Sequence, residues 1–66
     1  MKIDKQKIMI QLANTQTSIG ELSKRSGLSS RTISNAVKGG KCFPQTAGKI
    51  AKALSVNVVD IIEMEV

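Results

Sequence analysis

Apolar residues along the chain recur at helical spacing, and short polar or glycine-containing breaks divide them into five segments. No alternating apolar–polar run persists long enough to predict a strand. The first predicted helix spans about residues 4–14. Asp4 suits its N-cap, and Ile8 and Leu12 stand four apart, with Met9 and Ala13 beside them on a face that can be buried. The second spans 18–25. Ser18-Ile19-Gly20-Glu21 has the spacing of a capping box, Ile19, Leu22 and Ser23 face inward, and Lys24 and Arg25 occupy the last turn. Gly27 follows, where a positive φ would end the helix at no steric cost.

The third predicted helix, 29–38, has two contrasting faces. Ser29 is its N-cap, and Gly39-Gly40 stops it. Ile33, Ala36 and Val37 lie at i, i+3 and i+4 and form the inner side. Arg31, Ser34, Asn35 and Lys38 share the outer side. The fourth spans 44–54. Pro44 fits the first helical position, Phe43 is expected to pack onto the core as a staple, and Ala47, Ile50, Ala51 and Leu54 form the buried stripe. Gly48 in its interior is expected to be compensated by close packing against another helix. A fifth, 58–65, is expected after a cap at Asn57–Asp60, running through Ile61, Ile62 and Met64.

Composition sharpens this picture by exclusion. Sixty-six residues form one small domain, 1–66, and a hydrophobic share of 41% argues against disorder. The chain has no histidine and one cysteine, Cys42. That leaves no internal disulfide, no zinc site of the usual spacing and no Ser-His or Cys-His dyad. With no Gly-rich phosphate loop either, neither an enzyme, a metal, a cofactor nor a small-molecule ligand is expected. No apolar run is long enough for a membrane span and no signal-peptide block is present, so a cytoplasmic location is expected.

The charge is unevenly placed. The net charge is +5, yet the 38 residues from Leu22 to Val59 contain no acid. They hold Lys24, Arg25, Arg31, Lys38, Lys41, Lys49 and Lys52, while residues 60–66 carry a net −3. An acid-free basic middle points to a polyanionic partner. Lys24, Arg25, Lys49 and Lys52 read as solvated contributors to the field, whereas the outer side of 29–38 carries specific chemistry. A major groove admits one α-helix, and its outer face must be free of carboxylates. Arg31 can bond the acceptor pair of guanine, and Asn35, one turn on, can bond adenine. Ser30, Thr32 and Ser34 let the backbone approach and offer hydroxyls to base or phosphate. The N-termini at Ser18 and Ser29 present N–H groups to phosphate.

The run from Ser18 to Ser34 resembles the helix–turn–helix core of the Cro/CI-type (XRE) phage-repressor family, through Leu22, Gly27, Ser29, Thr32, Ile33 and Ser34. Gly39 matches the glycine after its recognition helix, and Lys49 to Val56 looks like its fourth helix. The resemblance covers roughly residues 5–63 and implies an all-α, five-helix, lambda-repressor-like fold and a transcriptional regulator binding double-stranded DNA. By position it implies base contacts from Ser30, Arg31, Thr32 and Asn35, and phosphate contacts near Ser18, Ile19, Lys38, Gly40 and Lys41. Three residues depart from the pattern. Ser23 stands where alanine is usual and needs a hydrogen-bond partner, such as a carbonyl of its own helix. Ile19 replaces a polar phosphate-contacting side chain. Ala36 is smaller than usual, leaving room for Phe43 or Val37 to fill.

The tail carries more apolar residues than one helix face can bury. Val58, Ile61 and Ile62 are expected broadly inward, and Val59, Met64 and Val66 partly exposed. Val59, Ile62, Met64 and Val66 are the candidates for a homodimer interface, which the resemblance also implies and which would suit an inverted-repeat operator. The alternative is a protein-interaction module, such as an antitoxin or anti-repressor partner, using the apolar C-terminal helix. RNA ranks third, since Phe43 is the only aromatic available for stacking.

Overall fold

The computed structural model describes residues 1–39 and 41–63. Four α-helices follow in order: α1 (Lys5–Thr15), α2 (Ile19–Ser26), α3 (Ser30–Val37) and α4 (Pro44–Ala53). A single 3-10 turn, Val58–Asp60, comes after them. The architecture is all-α.

Three helices begin on side-chain caps at the expected residues. Asp4 accepts from the Lys7 N–H at 3.1 Å, Ser18 from that of Glu21 at 3.1 Å, and Ser29 from that of Thr32 at 3.1 Å. Gly27 ends α2 at φ 75°, and Gly39 lies beyond α3 at φ 96°. Two other helices end without glycine. Gln16 and Ser55 take left-handed φ of 51° and 59°, and the N–H groups that follow return to the helix, Thr17 to the Leu12 carbonyl and Val56 to that of Ala51.

The core is Ile3, Ile8, Leu22, Ile33, Ala36, Ala47, Ile50, Ala51, Leu54, Ile61 and Ile62. It draws on every helix, and each fully buried isoleucine or leucine among them contributes about 1.5–3 kcal/mol by leaving water. α1 buries less of its apolar face than its spacing suggests. Ile8 is buried and Leu12 half-buried, while Met9 and Ala13 are exposed.

Four expectations are corrected here. The fifth helix is only the 3-10 turn, with Met64 and Val66 outside the described residues. Val58, Val59, Ile61 and Ile62 are all β-branched, which disfavours helix, and Ile62 is taken up by an antiparallel bridge to Ile3. Ile62 is therefore buried inside the chain instead of standing at an outer interface. Phe43 is 79% exposed and is no staple. Because α4 starts at Pro44, Phe43 is its N-cap, and the staple position before the cap falls to Cys42, which packs against the core. Nor does Gly48 make a close approach, since a Cβ there would meet nothing within 4 Å.

The sequence pattern also left out an extended N-terminal segment. Lys2 bridges Lys41 and Ile3 bridges Ile62, both antiparallel. The Cys42 N–H donates to the Met1 carbonyl at 2.8 Å, the Glu63 N–H to that of Lys2 at 3.0 Å, and the Asp4 N–H to that of Ile61 at 2.8 Å. The Lys7 ammonium adds a bond to the Ile62 carbonyl at 3.1 Å. This ribbon fastens the N-terminal segment to the loop between α3 and α4 on one side and to residues 61–63 on the other. No helix among the described residues is long and apolar enough to cross a membrane.

Candidate nucleic-acid interface

The turn between α2 and α3 is fixed by two serines of α2. Ser23 Oγ donates to the Leu28 carbonyl at 2.5 Å, and the Leu28 N–H donates to Ser26 Oγ at 3.2 Å. The partner of Ser23 is thus a carbonyl of the turn, not of its own helix. In place of a small apolar contact, the hydroxyl ties the last turn of α2 to the chain entering α3. Leu22 and Ile33 are fully buried on the facing sides of the two helices. Ile19 is half-buried and packs against the core, which leaves its backbone N–H as its polar group at the start of α2. The capping box at this end is half formed. Ser18 caps Glu21, while the Glu21 carboxylate reaches Arg25 at 3.6 Å. Arg25 also donates to the buried Thr17 hydroxyl at 3.4 Å, so it is tethered and not merely solvated.

α3 divides as its sequence suggested. Ile33 and Ala36 are buried, and Val37 packs beside them. Ser30, Arg31, Thr32, Asn35 and Lys38 are exposed, with Ser34 half-buried. The two hydroxyls at the N-terminus are partly engaged. Ser29 Oγ and Thr32 Oγ1 lie 2.8 Å apart in a shared hydrogen bond, while Ser29 also caps the helix. Each hydroxyl keeps a remaining lone pair or proton for another partner. Arg31 and Asn35 make no side-chain hydrogen bond or ion pair within the described residues, and both project from one face one turn apart.

Most phosphate candidates are exposed at helix ends or in the loop after α3. Ser18 and Ser29 sit exposed at the N-termini of α2 and α3. Lys38 caps the end of α3, and Lys41 is exposed in the following loop. Gly40 lies outside the described residues. Of the dimer candidates, Val59 is 52% exposed, Ile62 is buried, and Met64 and Val66 lie outside the described residues. Among the described residues, no group of three or more His, Cys, Asp or Glu side chains is placed to hold a metal ion.

Two exposed residues beside Lys41 escaped the sequence reading. One is Phe43, exposed on the same loop as Lys41, and the other is Lys2, carried beside Lys41 by the terminal ribbon. The heptad-scale signals used along the chain have no reach across the 39 positions that separate the two lysines. A family model described as the Cro/C1-type HTH DNA-binding domain fits residues 7–66. Neither the curated proteins nor the solved structures gave a match.

Proposed function

Because the chain belongs to the Cro/C1-type HTH DNA-binding domain family, we propose that it is a sequence-specific regulator of transcription that reads the major groove with α3. The observation that carries this reading is the division of α3. One side is sealed into the core by Ile33 and Ala36, and the other presents Arg31 and Asn35 without a carboxylate nearby in sequence. Arg31 reads guanine through its paired donors and Asn35 reads adenine through its amide. Ser30 and Thr32 contact neighbouring base edges. The N-termini of α2 and α3, with Ser18, Ile19, Ser29 and Ser34, hold phosphates through N–H and hydroxyl groups. Lys38, Gly40 and Lys41 hold the flanking backbone.

The regulator works as a homodimer in the cytoplasm, on an inverted repeat, and represses by occluding the promoter as a Cro-like protein would. Two reading helices related by a two-fold axis would then sit about 34 Å apart, one turn of duplex. Val59 supports the dimer as an exposed apolar residue outside the reading helix, and Met64 and Val66 extend that proposal. The protein-interaction alternative has less to stand on. Ile61 and Ile62, two of the apolar residues it would use, are buried within the chain.

Selection of bound duplexes from a random library at near-physiological salt tests the reading. It should enrich an inverted repeat with half-sites about ten base pairs apart, in which each mismatch costs about 1–3 kcal/mol. Recovery of duplexes with no shared sequence would reject base reading. Enrichment of a single half-site would keep base reading and reject the dimer.

A further inference from the structure

Lys2 and Lys41 face each other across an antiparallel bridge. The bond flanking them runs diagonally, from the Cys42 N–H to the Met1 carbonyl at 2.8 Å. The two lysines are therefore a non-hydrogen-bonded pair, the closer of the two antiparallel geometries, with Cα atoms about 4.5 Å apart. Side chains of such a pair leave the ribbon on one face. The next residue, Ile3, turns to the opposite face and is 1% exposed, so the lysine face is the outer one, and both lysines are exposed.

Like charges placed directly opposite are destabilising. On its other side Lys2 stands directly opposite Glu63, since Ile3 bridges Ile62 and the Glu63 N–H donates to the Lys2 carbonyl at 3.0 Å. The Glu63 carboxylate offsets part of the repulsion across the strand, although among the described residues it forms no ion pair with either lysine. A polyanion lying on the ribbon removes what repulsion remains. The ribbon also continues the surface already described, because Lys38 ends α3 and Lys41 follows in the same loop.

We propose that Lys2 and Lys41 together form a two-lysine clamp for the DNA backbone, in which the N-terminal strand supplies a phosphate contact that its sequence position does not suggest. The inference rests on the duplex-binding reading above. The clamp is sequence-independent, since ammonium groups contact phosphate oxygens and no base edge.

The test uses the full chain, its selected duplex, a scrambled duplex of equal length and a poly-glutamate peptide. The variants are Lys2→Gln, Lys2→Arg, Lys41→Gln and Arg31→Ala, with Lys52→Gln on α4 as the surface-charge control. Lys2→Gln should weaken the selected and scrambled duplexes by the same factor. It should also lower the slope of log affinity against log salt by about 0.9 per bound chain, so that its deficit shrinks about 3-fold between 50 and 200 mM salt. Lys2→Arg should retain the wild-type slope, and Lys52→Gln should leave it nearly unchanged. In urea, the free Lys2→Gln protein should fold as wild type does, with a folding constant within about two-fold, because the repulsion from Lys41 and the attraction to Glu63 are lost together.

An unchanged slope for Lys2→Gln, beside a reduced one for Lys41→Gln, overturns the clamp and leaves the DNA reading standing. A Lys2-dependent loss seen with poly-glutamate but not with either duplex assigns the pair to an acidic protein and also overturns it. If Arg31→Ala and Lys41→Gln are silent on both duplexes as well, the DNA-binding reading has failed, and the clamp falls with it.

Discussion

In the α2–turn–α3 unit, the capping and turn hydrogen bonds join residues two to five positions apart: Ser18 to Glu21, Ser26 to Leu28, Ser23 to Leu28, Ser29 to Thr32. In the terminal ribbon, the corresponding bonds join residues 41 to 61 positions apart: Met1 to Cys42, Asp4 to Ile61, Lys2 to Glu63. One region is shaped by its neighbours in the chain. The other exists only once the whole domain has closed. The proposed reading surface sits in the first region, where local bonds hold α3 against α2. The second region contributes three core isoleucines, Ile3, Ile61 and Ile62, and a row of backbone bonds, and so turns a helix pair into a closed domain. Local encoding therefore orients the surface, and non-local closure makes it stable enough to use.

The largest effect expected tests whether the two regions depend on each other. Ile33→Ala, inside the helix pair, and Ile3→Ala, on the ribbon, should each destabilise the domain by about 2–5 kcal/mol, since both side chains are buried and neither site can collapse fully. Urea unfolding measures both. If Ile3→Ala left stability nearly intact, the ribbon would be an ornament and the helix pair self-sufficient.

The next effect belongs to the local side alone. Ser29→Ala removes the cap of α3 and the partner of the Thr32 hydroxyl, and should cost about 1 kcal/mol in the same assay. Smaller and opposite in sign is Gly48→Ala. The added methyl meets nothing within 4 Å, and alanine is the better helix former, so stability should rise by up to about 1 kcal/mol. A loss at this position would show a close approach that the packing does not contain. The smallest effect is Phe43→Ala. An N-cap side chain this exposed should change stability by no more than about 0.5 kcal/mol, whereas a true staple would cost several times that.

How much of this was legible in the sequence follows the same division. The bounds of α2 and α3, their serine caps, the positive φ of Gly27 and the inward set Leu22, Ile33 and Ala36 all follow from spacing and side-chain chemistry within a few residues. The outer set Arg31, Asn35 and Lys38 follows too, because a helix with a buried stripe must turn its remaining side chains to solvent. Partners reached through space were missed. The hydroxyl of Ser23 found the turn rather than its own helix, and Lys7 found carbonyls at the far end of the chain. The β-branched tail was read at helical period, although those residues suit an extended segment equally well, and pairing with Ile3 decided the matter. Phe43 was given the staple role although, with Pro44 opening the helix, it is the N-cap, one position past the staple residue, which is enough to exchange core for solvent. Gln16 and Ser55 ended their helices in conformations usually marked by glycine, so nothing in the local sequence announced them.

The central claim is that the outer face of α3 distinguishes bases instead of merely attracting phosphate. It is tested most directly by the ratio of affinities for the selected duplex and a scrambled one, measured for wild type and Arg31→Ala at one salt concentration. The account predicts that the variant loses about 1–3 kcal/mol on the selected duplex and little on the scrambled one, with preference relaxed at one base position. An equal loss on both duplexes would contradict it, and would make Arg31 another cation on a phosphate-binding surface.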